Sequence, residues 1–493
     1  MAKKLQMCGS EEEMREVAGR ICRNYLHGAW KTVDPRDLHF RRISGGLSNF
    51  LYYVALPSDV ARLGGYQRDV SPETEQDMRL KKQLSAHSFS LDEPKKVLLR
   101  IYGQVHGERA MDAIVTESVI FTLLSERRLG PKLHGVFSGG RIEEYIPARS
   151  LFTKELSEPA LSMKIAEKMA AIHSMEVPLS KEPNWLWKTM GKWLRTAREE
   201  RLAATELKGE ERKIMERLRM VDWEAEIEWV KKLTTTVNSP VVFCHNDMQE
   251  GNILLLEENG TESAIEGDEA SGVFLRAASD EESSDSAASG LSDPDPALGE
   301  PRLMLIDFEY CAYNYRAFDI SNHFQEWSYD YTNPQRPFYY EFPDQEPTLE
   351  QKEIFIKEYL KHWRNAGWAA RGSAASADVC DTPSIDDVNQ LLNEVDAFQP
   401  VCDLFWTLWS IVNASKSQIP FGYWEFALSR LETYQRLKQE LIKKEKCGFP
   451  QKPGRDSTLG CIFNGWVEAW MTDNGALQST MPVNSLFCLF HSN

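Results

Sequence analysis

Apolar side chains recur at Met14, Val17, Ala18, Ile21, Cys22 and Tyr25, a 3.6-residue period that predicts an amphipathic helix opening the chain. The period then changes. Residues 40–43 and 50–56 read as strands flanking the turn Ser44-Gly45-Gly46-Leu47-Ser48-Asn49, and 96–102 (KVLLRIY) is an apolar run of strand length. The polar stretch 57–94 reads as a loop. Helical spacing returns over 113–126, and 132–137 with 141–145 predict two further strands. This half reads as a small antiparallel sheet with one helix.

From about residue 149 helical patterns dominate, at 158–174, 190–204, 209–232, 349–366, 384–416 and 422–446. A compact strand-loop-strand at 240–256, continued at 303–308, interrupts them. Between those strands, residues 257–300 carry thirteen acidic side chains against the single cation Arg276. Such a segment buries too little apolar surface to offset its ordering entropy, so it reads as a disordered acidic insertion. The pattern fails again over 447–493. The organisation predicted is α+β and two-lobed: an N-terminal helix in 1–35, a β-rich lobe in 36–148, a mainly helical lobe in 149–446 holding the insertion at 257–302, and an irregular tail in 447–493.

With 493 residues, 42% hydrophobic and 27% charged, the chain can bury a sizeable core. A net charge of −17 argues against a surface built for nucleic acid or anionic lipid. Nine cysteines, without a C-x-x-C pair, favour reduced thiols. The chain shows no signal-peptide pattern and no apolar stretch near ~20 residues, so no integral membrane segment is expected and the address expected is cytoplasmic.

The strongest chemical signal is VVFCHNDMQEGNILLL at 241–256. An apolar strand, a polar loop and a second strand put Asp247 and Asn252 five positions apart, the spacing of a phosphotransferase catalytic loop. Downstream, LMLIDFE at 303–309 delivers Asp307 at the end of a strand. Phosphoryl transfer needs a metal to bridge phosphate oxygens and a group to receive the nucleophile's proton. Asp247 suits the proton; Asn252 and Asp307 suit Mg²⁺, which takes one or two hard oxygens from protein. His245 suits bracing of the loop.

CHNDMQEGNILLL, LMLIDFEYCAYNYRAFDISNHFQEWSYDY, DLFWTLWSIV and FGYWEFALSR together resemble the choline/ethanolamine kinase family, and within it the choline kinase branch, over about 40–440. The resemblance implies a protein-kinase-like fold, ATP as co-substrate, Mg²⁺ as cofactor, a homodimer, and phosphorylation of choline to phosphocholine for phosphatidylcholine synthesis. It implies that Asp247 is the base, that Asn252 and Asp307 hold metal, and that Gln249 lies near the transferred phosphate. Ser44, Gly45, Gly46, Leu47, Ser48 and Asn49 resemble the phosphate-covering turn. Arg100 stands where protein kinases keep a lysine, with Glu117 as its expected ion-pair partner. Glu143 and Tyr145 fall in the segment resembling the adenine-binding hinge, which acts through its backbone.

A quaternary ammonium has no N–H to donate, so aromatic faces and nearby carboxylates must hold it. Tyr310, Tyr331, Trp406 and Trp409 are the candidates, and the two tryptophans share a helix face. Spacing alone favours a core pair, and it is the resemblance of FWTLWSIV to the family's cation-binding wall that assigns the two tryptophans to the acceptor site. Phe426 stands where the family pattern F-G-Y-x-x-Y has tyrosine, and Ala317 and Ser321 replace two glycines. A protein kinase is disfavoured by the absence of G-x-G-x-x-G, H-R-D and A-P-E. An aminoglycoside phosphotransferase would require an acidic pocket at Trp406 and Trp409, and a non-catalytic scaffold would not require Asp247, Asn252 and Asp307. Ethanolamine is the alternative acceptor.

Overall fold

The computed structural model describes residues 10–43, 49–57, 94–102, 108–201, 209–256, 301–369, 382–417 and 419–446. Most of the glycine turn at 44–48, the insertion at 257–300 and the tail at 447–493 lie outside them, as does nearly all of the loop expected at 57–94.

Ser10 starts the opening helix α1 (Glu11–Tyr25). Its hydroxyl accepts the Glu13 amide and Glu13 returns the bond to the Ser10 amide at 2.8 Å, satisfying two donors that no helical carbonyl can reach. The inner face of α1 buries Ala18 and Cys22 among Trp30, Phe40, Val54 and Leu99. This cluster covers one side of an antiparallel sheet made of β1 (His39–Ile43), β2 (Asn49–Ala55), β3 (Lys96–Tyr102), β4 (Leu133–Phe137) and β5 (Gly140–Glu144), in the order β1-β2-β3-β5-β4. The helix α2 (Glu108–Glu126) lies between β3 and β4 in sequence.

Strand β3 buries six of its seven residues, which is why KVLLRIY shows an apolar run rather than alternation. Its register sets Arg100 opposite Arg141. Gly140 makes that pairing possible, because a Cβ there would lie 2.1 Å from the Arg100 carbonyl oxygen.

The second half contains β6 (Ala148–Ser150), helices α3 (Pro159–His173), α4 (Asn184–Thr196), α5 (Gly209–Arg219) and α6 (Trp223–Thr235), and then four short strands. These are β7 (Val241–Cys244), β8 (Ile253–Leu256), β9 (Leu303–Leu305) and β10 (Ala312–Tyr315), followed by helices α7 (Arg316–Glu326), α8 (Leu349–Ala369), α9 (Ile385–Lys416) and α10 (Tyr423–Lys446). Strand β7 pairs with β10, and β8 lies between β6 and β9.

The periodic run at 209–232 is two helices, because Asp222 accepts the Ala225 amide at 3.1 Å and starts α6 afresh. The helix expected at 190–204 begins earlier, at Asn184, and gives way to a π turn at Ala197–Arg201. Strands β6 and β10 escaped the sequence reading because three or four residues are too few to show a period of two.

Arg316 binds Glu394 through two bonds of 2.9 Å, tying the start of α7 to α9. Phe308 joins the sheet half to the helical half: its ring meets Phe121 of α2 at 5.7 Å and His245 at 5.6 Å. Among the described residues no helix is long and apolar enough to cross a membrane, and Cys22, Cys244, Cys311 and Cys402 are free and buried.

Candidate active site

The loop after β7 is held from behind by Asp319 of α7. One carboxylate oxygen accepts the His245 amide and the other the Asn246 amide, each at 2.8 Å. His173 Nε2 adds a contact at 3.0 Å while its Nδ1 meets the Tyr359 hydroxyl at 2.8 Å. Burial alone would raise the Asp319 pKa, but the His173 hydrogen bond and the charge interactions with His173 and His245 outweigh it and hold the carboxyl below its usual range. His173, Cys244 and Asp319 offer ligand atoms within 4.8 Å of one another. With both Asp319 oxygens committed to backbone amides, the cluster is a brace and not a metal centre.

Asn246 adopts φ +67°, which asparagine tolerates better than most residues. Its amide nitrogen donates to the Tyr310 carbonyl at 2.9 Å, and its oxygen accepts from Asn314 at 2.8 Å. The side chain thereby substitutes for a strand partner at the turn.

Asp247, Asn252 and Asp307 come together as expected from their spacing. Asn252 Nδ2 donates to both the carbonyl and Oδ2 of Asp247 at 2.9 Å. The Ile306 peptide fixes the third member: its N–H donates to the Asn252 carbonyl at 3.0 Å and its carbonyl meets His245 Nε2 at 3.0 Å. His245 Nδ1 then accepts the Asp247 amide at 3.3 Å. His245 is therefore neutral with its proton on Nε2, and burial lowers its pKa accordingly. Burial also pushes the Asp247 carboxyl well above its ordinary value, helped by the nearby carboxylates of Glu326, Asp307 and Glu309.

Asp307 sits at φ +64°, and its buried Oδ1 has no hydrogen-bond partner. A buried carboxylate oxygen that accepts no hydrogen bond, with Arg100 Nη1 3.7 Å away, beside an asparagine whose nitrogen is already committed, is an oxygen-rich set that fits a hard divalent cation. Gln249 Oε1 accepts the Gly251 amide at 3.1 Å, so this side chain closes the turn that leads to Asn252.

Arg100 and Glu117 are connected differently from the sequence expectation. Arg141 Nη1 meets Glu117 at 2.5 Å, whereas Arg100 binds Glu143 Oε1 at 2.7 Å and stands 3.7 Å from Asp307 Oδ1. Arg141 also binds Glu143 Oε1 at 2.7 Å. Glu143, expected to matter only through its backbone, is thus a buried carboxylate shared by two arginines. Burial would raise its pKa; Arg100 and Arg141 reverse that and lower it. Arg141 raised no flag in the sequence, because its pairing with Glu117 depends on the β3–β5 register. Tyr145 packs edge-on against Tyr53 at 4.6 Å, with Lys96 over its face. Of the glycine turn only Asn49 is described, as the first residue of β2.

Three of the four aromatic candidates converge, and Tyr331 stands apart against Phe421, Phe426 and Glu326. Tyr310 meets Trp406 edge-to-face at 5.7 Å, and Trp406 meets Trp409 at 5.5 Å. Trp406 donates to Asn322 Oδ1 at 2.6 Å, and Trp409 donates to the Tyr310 hydroxyl at 2.9 Å. Tyr331 donates to Glu326 Oε2 at 2.8 Å. Phe426 is not a free-standing wall residue: it lies in a buried cluster with Tyr329, Tyr331, Tyr339 and Phe421.

The family model for choline/ethanolamine kinase matches residues 40–435. The chain belongs to the choline/ethanolamine kinase family. A human choline/ethanolamine kinase is 40% identical over 420 residues, covering 85% of this chain and 85% of its own length. A mouse choline kinase alpha is 36% identical, covering 87% and 82%. Among solved structures, a choline kinase from Cryptosporidium parvum Iowa II superposes with a TM-score of 0.56 at 22% identity, covering 87% of this chain and 97% of that one. A Plasmodium vivax ethanolamine kinase gives 0.56 at 20%, covering 88% and 91%. The fold is that of this kinase family, an antiparallel sheet followed by a larger helical part, as the α+β reading required.

Glu326, one helical step from the residues singled out by sequence, was missed in this family member. It is 3% exposed, adjoins Tyr331 and acts electrostatically on Asp247. It opens the EWSYDY end of one motif that carries the family resemblance, four residues after Asn322 on the same side of α7, but no role was read from it.

Proposed function

We infer that the chain transfers the γ-phosphate of ATP to the hydroxyl of choline, giving phosphocholine for phosphatidylcholine synthesis. One observation carries this: an aromatic row, Tyr310–Trp406–Trp409, stands beside a catalytic loop crowded with carboxylates. Asp247, Asp307, Glu309 and Glu326 interact closely enough to lift the Asp247 pKa. A site of that charge calls for cations. Asn252 and Asp307 would hold Mg²⁺, which when bound neutralises phosphate charge. Glu326 and the aromatic faces suit the choline ammonium.

In this reading Asp247 Oδ takes the proton from the choline hydroxyl as its oxygen bonds to the γ-phosphorus and the bond from that phosphorus to the β–γ bridging oxygen breaks, releasing ADP, while Asn252 and the Asp319 brace keep the carboxylate pointed at the hydroxyl. Arg100, anchored by Glu143, serves the nucleotide phosphates, and the glycine turn at 44–49 covers them. Gln249 contributes by shaping the loop, and Tyr145 belongs to the adenine hinge. Family membership supports a homodimer; a cytoplasmic address accords with the reduced cysteines.

Incubation of the purified chain with Mg²⁺, ATP and choline, followed by ³¹P detection of phosphocholine, tests the reading. Formation of product by wild type and its loss in Asp247→Asn is expected. ATP hydrolysis without phosphocholine would defeat it.

A further inference from the structure

Resting on that function, a finer selection is built into the acceptor wall. Four oxygens on Asn322, Tyr310 and Glu326 each already accept one hydrogen bond from a neighbour. Asn322 Oδ1 takes Trp406 Nε1 at 2.6 Å, and the Tyr310 hydroxyl takes Trp409 Nε1 at 2.9 Å. Glu326 Oε2 takes the Tyr331 hydroxyl at 2.8 Å, and Glu326 Oε1 takes Arg430 Nη2 at 2.6 Å. We propose that Arg430 is a specificity-determining positioning residue: by occupying Glu326 Oε1 it takes an acceptor that a primary ammonium could use while leaving the charge and aromatic surface in place, which favours a quaternary over a primary ammonium.

The chemistry follows from donor counts. A primary ammonium brings three N–H donors, and each one taken out of water without an acceptor carries a desolvation penalty. A quaternary ammonium brings none and loses nothing where an acceptor is already taken. Arg430 cannot readily turn away from Glu326. It is 1% exposed, reaches Asp403 Oδ1 at 3.3 Å and Gln325 Oε1 at 3.1 Å, and stacks 4.0 Å from the Tyr329 ring centroid and 5.0 Å from that of Phe426. Asp403 is itself fixed by Gln325 Nε2 at 2.8 Å. Glu326 thus acts on the substrate as an oriented charge.

The test compares KM and kcat for choline, N,N-dimethylethanolamine, N-methylethanolamine and ethanolamine in wild type, Arg430→Gln and Tyr331→Phe. Each substitution opens one Glu326 oxygen; Tyr331→Phe does so without leaving a buried charge unpaired and keeps the test valid if Arg430→Gln fails to fold. The ratio of ethanolamine KM to choline KM is expected to fall about tenfold or more, the worth of one charge-assisted hydrogen bond. The methylated amines should fall in order between, and KM for ATP should hold. An unchanged ratio in Tyr331→Phe, or a wild type that prefers ethanolamine, overturns the proposal. A wild type that phosphorylates none of the four overturns the assigned function first.

Discussion

Asn252 spends one amide nitrogen twice on Asp247, donating to its backbone carbonyl and to its carboxylate at 2.9 Å each. That pairing leaves Asp247 its other carboxylate oxygen and Asn252 its side-chain oxygen. In Asp247→Asn the geometry survives while the proton acceptor is lost. Turnover should fall by ~10²–10⁴, with binding of a fluorescent ADP analogue within about twofold of wild type. Loss of nucleotide binding together with turnover would place Asp247 elsewhere in the chemistry.

Asp307→Asn keeps the size of the side chain and removes its charge at a buried oxygen without a hydrogen-bond partner. The Mg²⁺ concentration giving half-maximal rate should rise, because a hard anionic ligand has become neutral. A magnesium titration overlying that of wild type would move the metal site away from Asp307.

The two tryptophans should separate on mutation. Trp406 is buried and bonded to fully buried Asn322, so Trp406→Leu should lower stability as well as choline affinity. Trp409 is half-buried and bonded to Tyr310. Trp409→Leu should raise KM for choline up to ~30-fold, the worth of a desolvated cation–π face, with little change in Tm or KM for ATP. Equal choline KM in wild type and Trp409→Leu would make that ring a packing element.

His323 is a buried neutral imidazole with both nitrogens committed. Nδ1 donates to the Met248 carbonyl at 2.8 Å, and Nε2 accepts the Trp327 indole N–H at 3.3 Å. Burial lowers its pKa from 6.5 to about 4. As pH falls, the unfolded chain takes the proton first, so this stability is complete above 6.5 and lost progressively down to 4. Relative to His323→Gln, wild type should lose roughly 3 kcal/mol of unfolding free energy between pH 7 and pH 4. Parallel stability curves for the two proteins would refute this.

Residues 257–300 enter and leave at Leu256 and Arg302, whose backbones meet in a 2.9 Å hydrogen bond. A Gly-Ser bridge replacing them closes a shorter loop over ends already in contact. Soluble expression and kcat/KM for choline should stay within about twofold of the full chain, and an insoluble product would show that the segment supports the fold.

The sheet strands and long helices were legible because each repeats its period over enough residues to declare it; 96–102 coincides with β3 residue for residue. So was the trio Asp247, Asn252 and Asp307, since local strand-loop-strand geometry alone brings the first two together. Glu117 was misassigned because its partner is chosen by strand register: Arg141 lies opposite Arg100, and the β5 residue, not the β3 one, reaches α2. Glu326 and Arg430 both stand in the quoted motifs, but their pairing was illegible for a similar reason. They are 104 positions apart, and no local period announces that α7 and α10 will meet there.

Helix α7 carries Asp319, which clamps the catalytic loop, then Asn322 and His323, which hold Trp406 and Met248, and lastly Glu326. Seven residues of α-helix separate the first from the last, about 10 Å. The helix is therefore a gauge. In the proposed reading it sets how far the reacting hydroxyl stands from the cationic end of the acceptor, and a helix cannot be lengthened by half a step: one inserted residue would swing Glu326 by about 100° and advance it about 1.5 Å. Chain length can vary freely at Leu256 and Arg302, where a strand end meets solvent, but not between Asp319 and Glu326, where the spacing is itself the measurement.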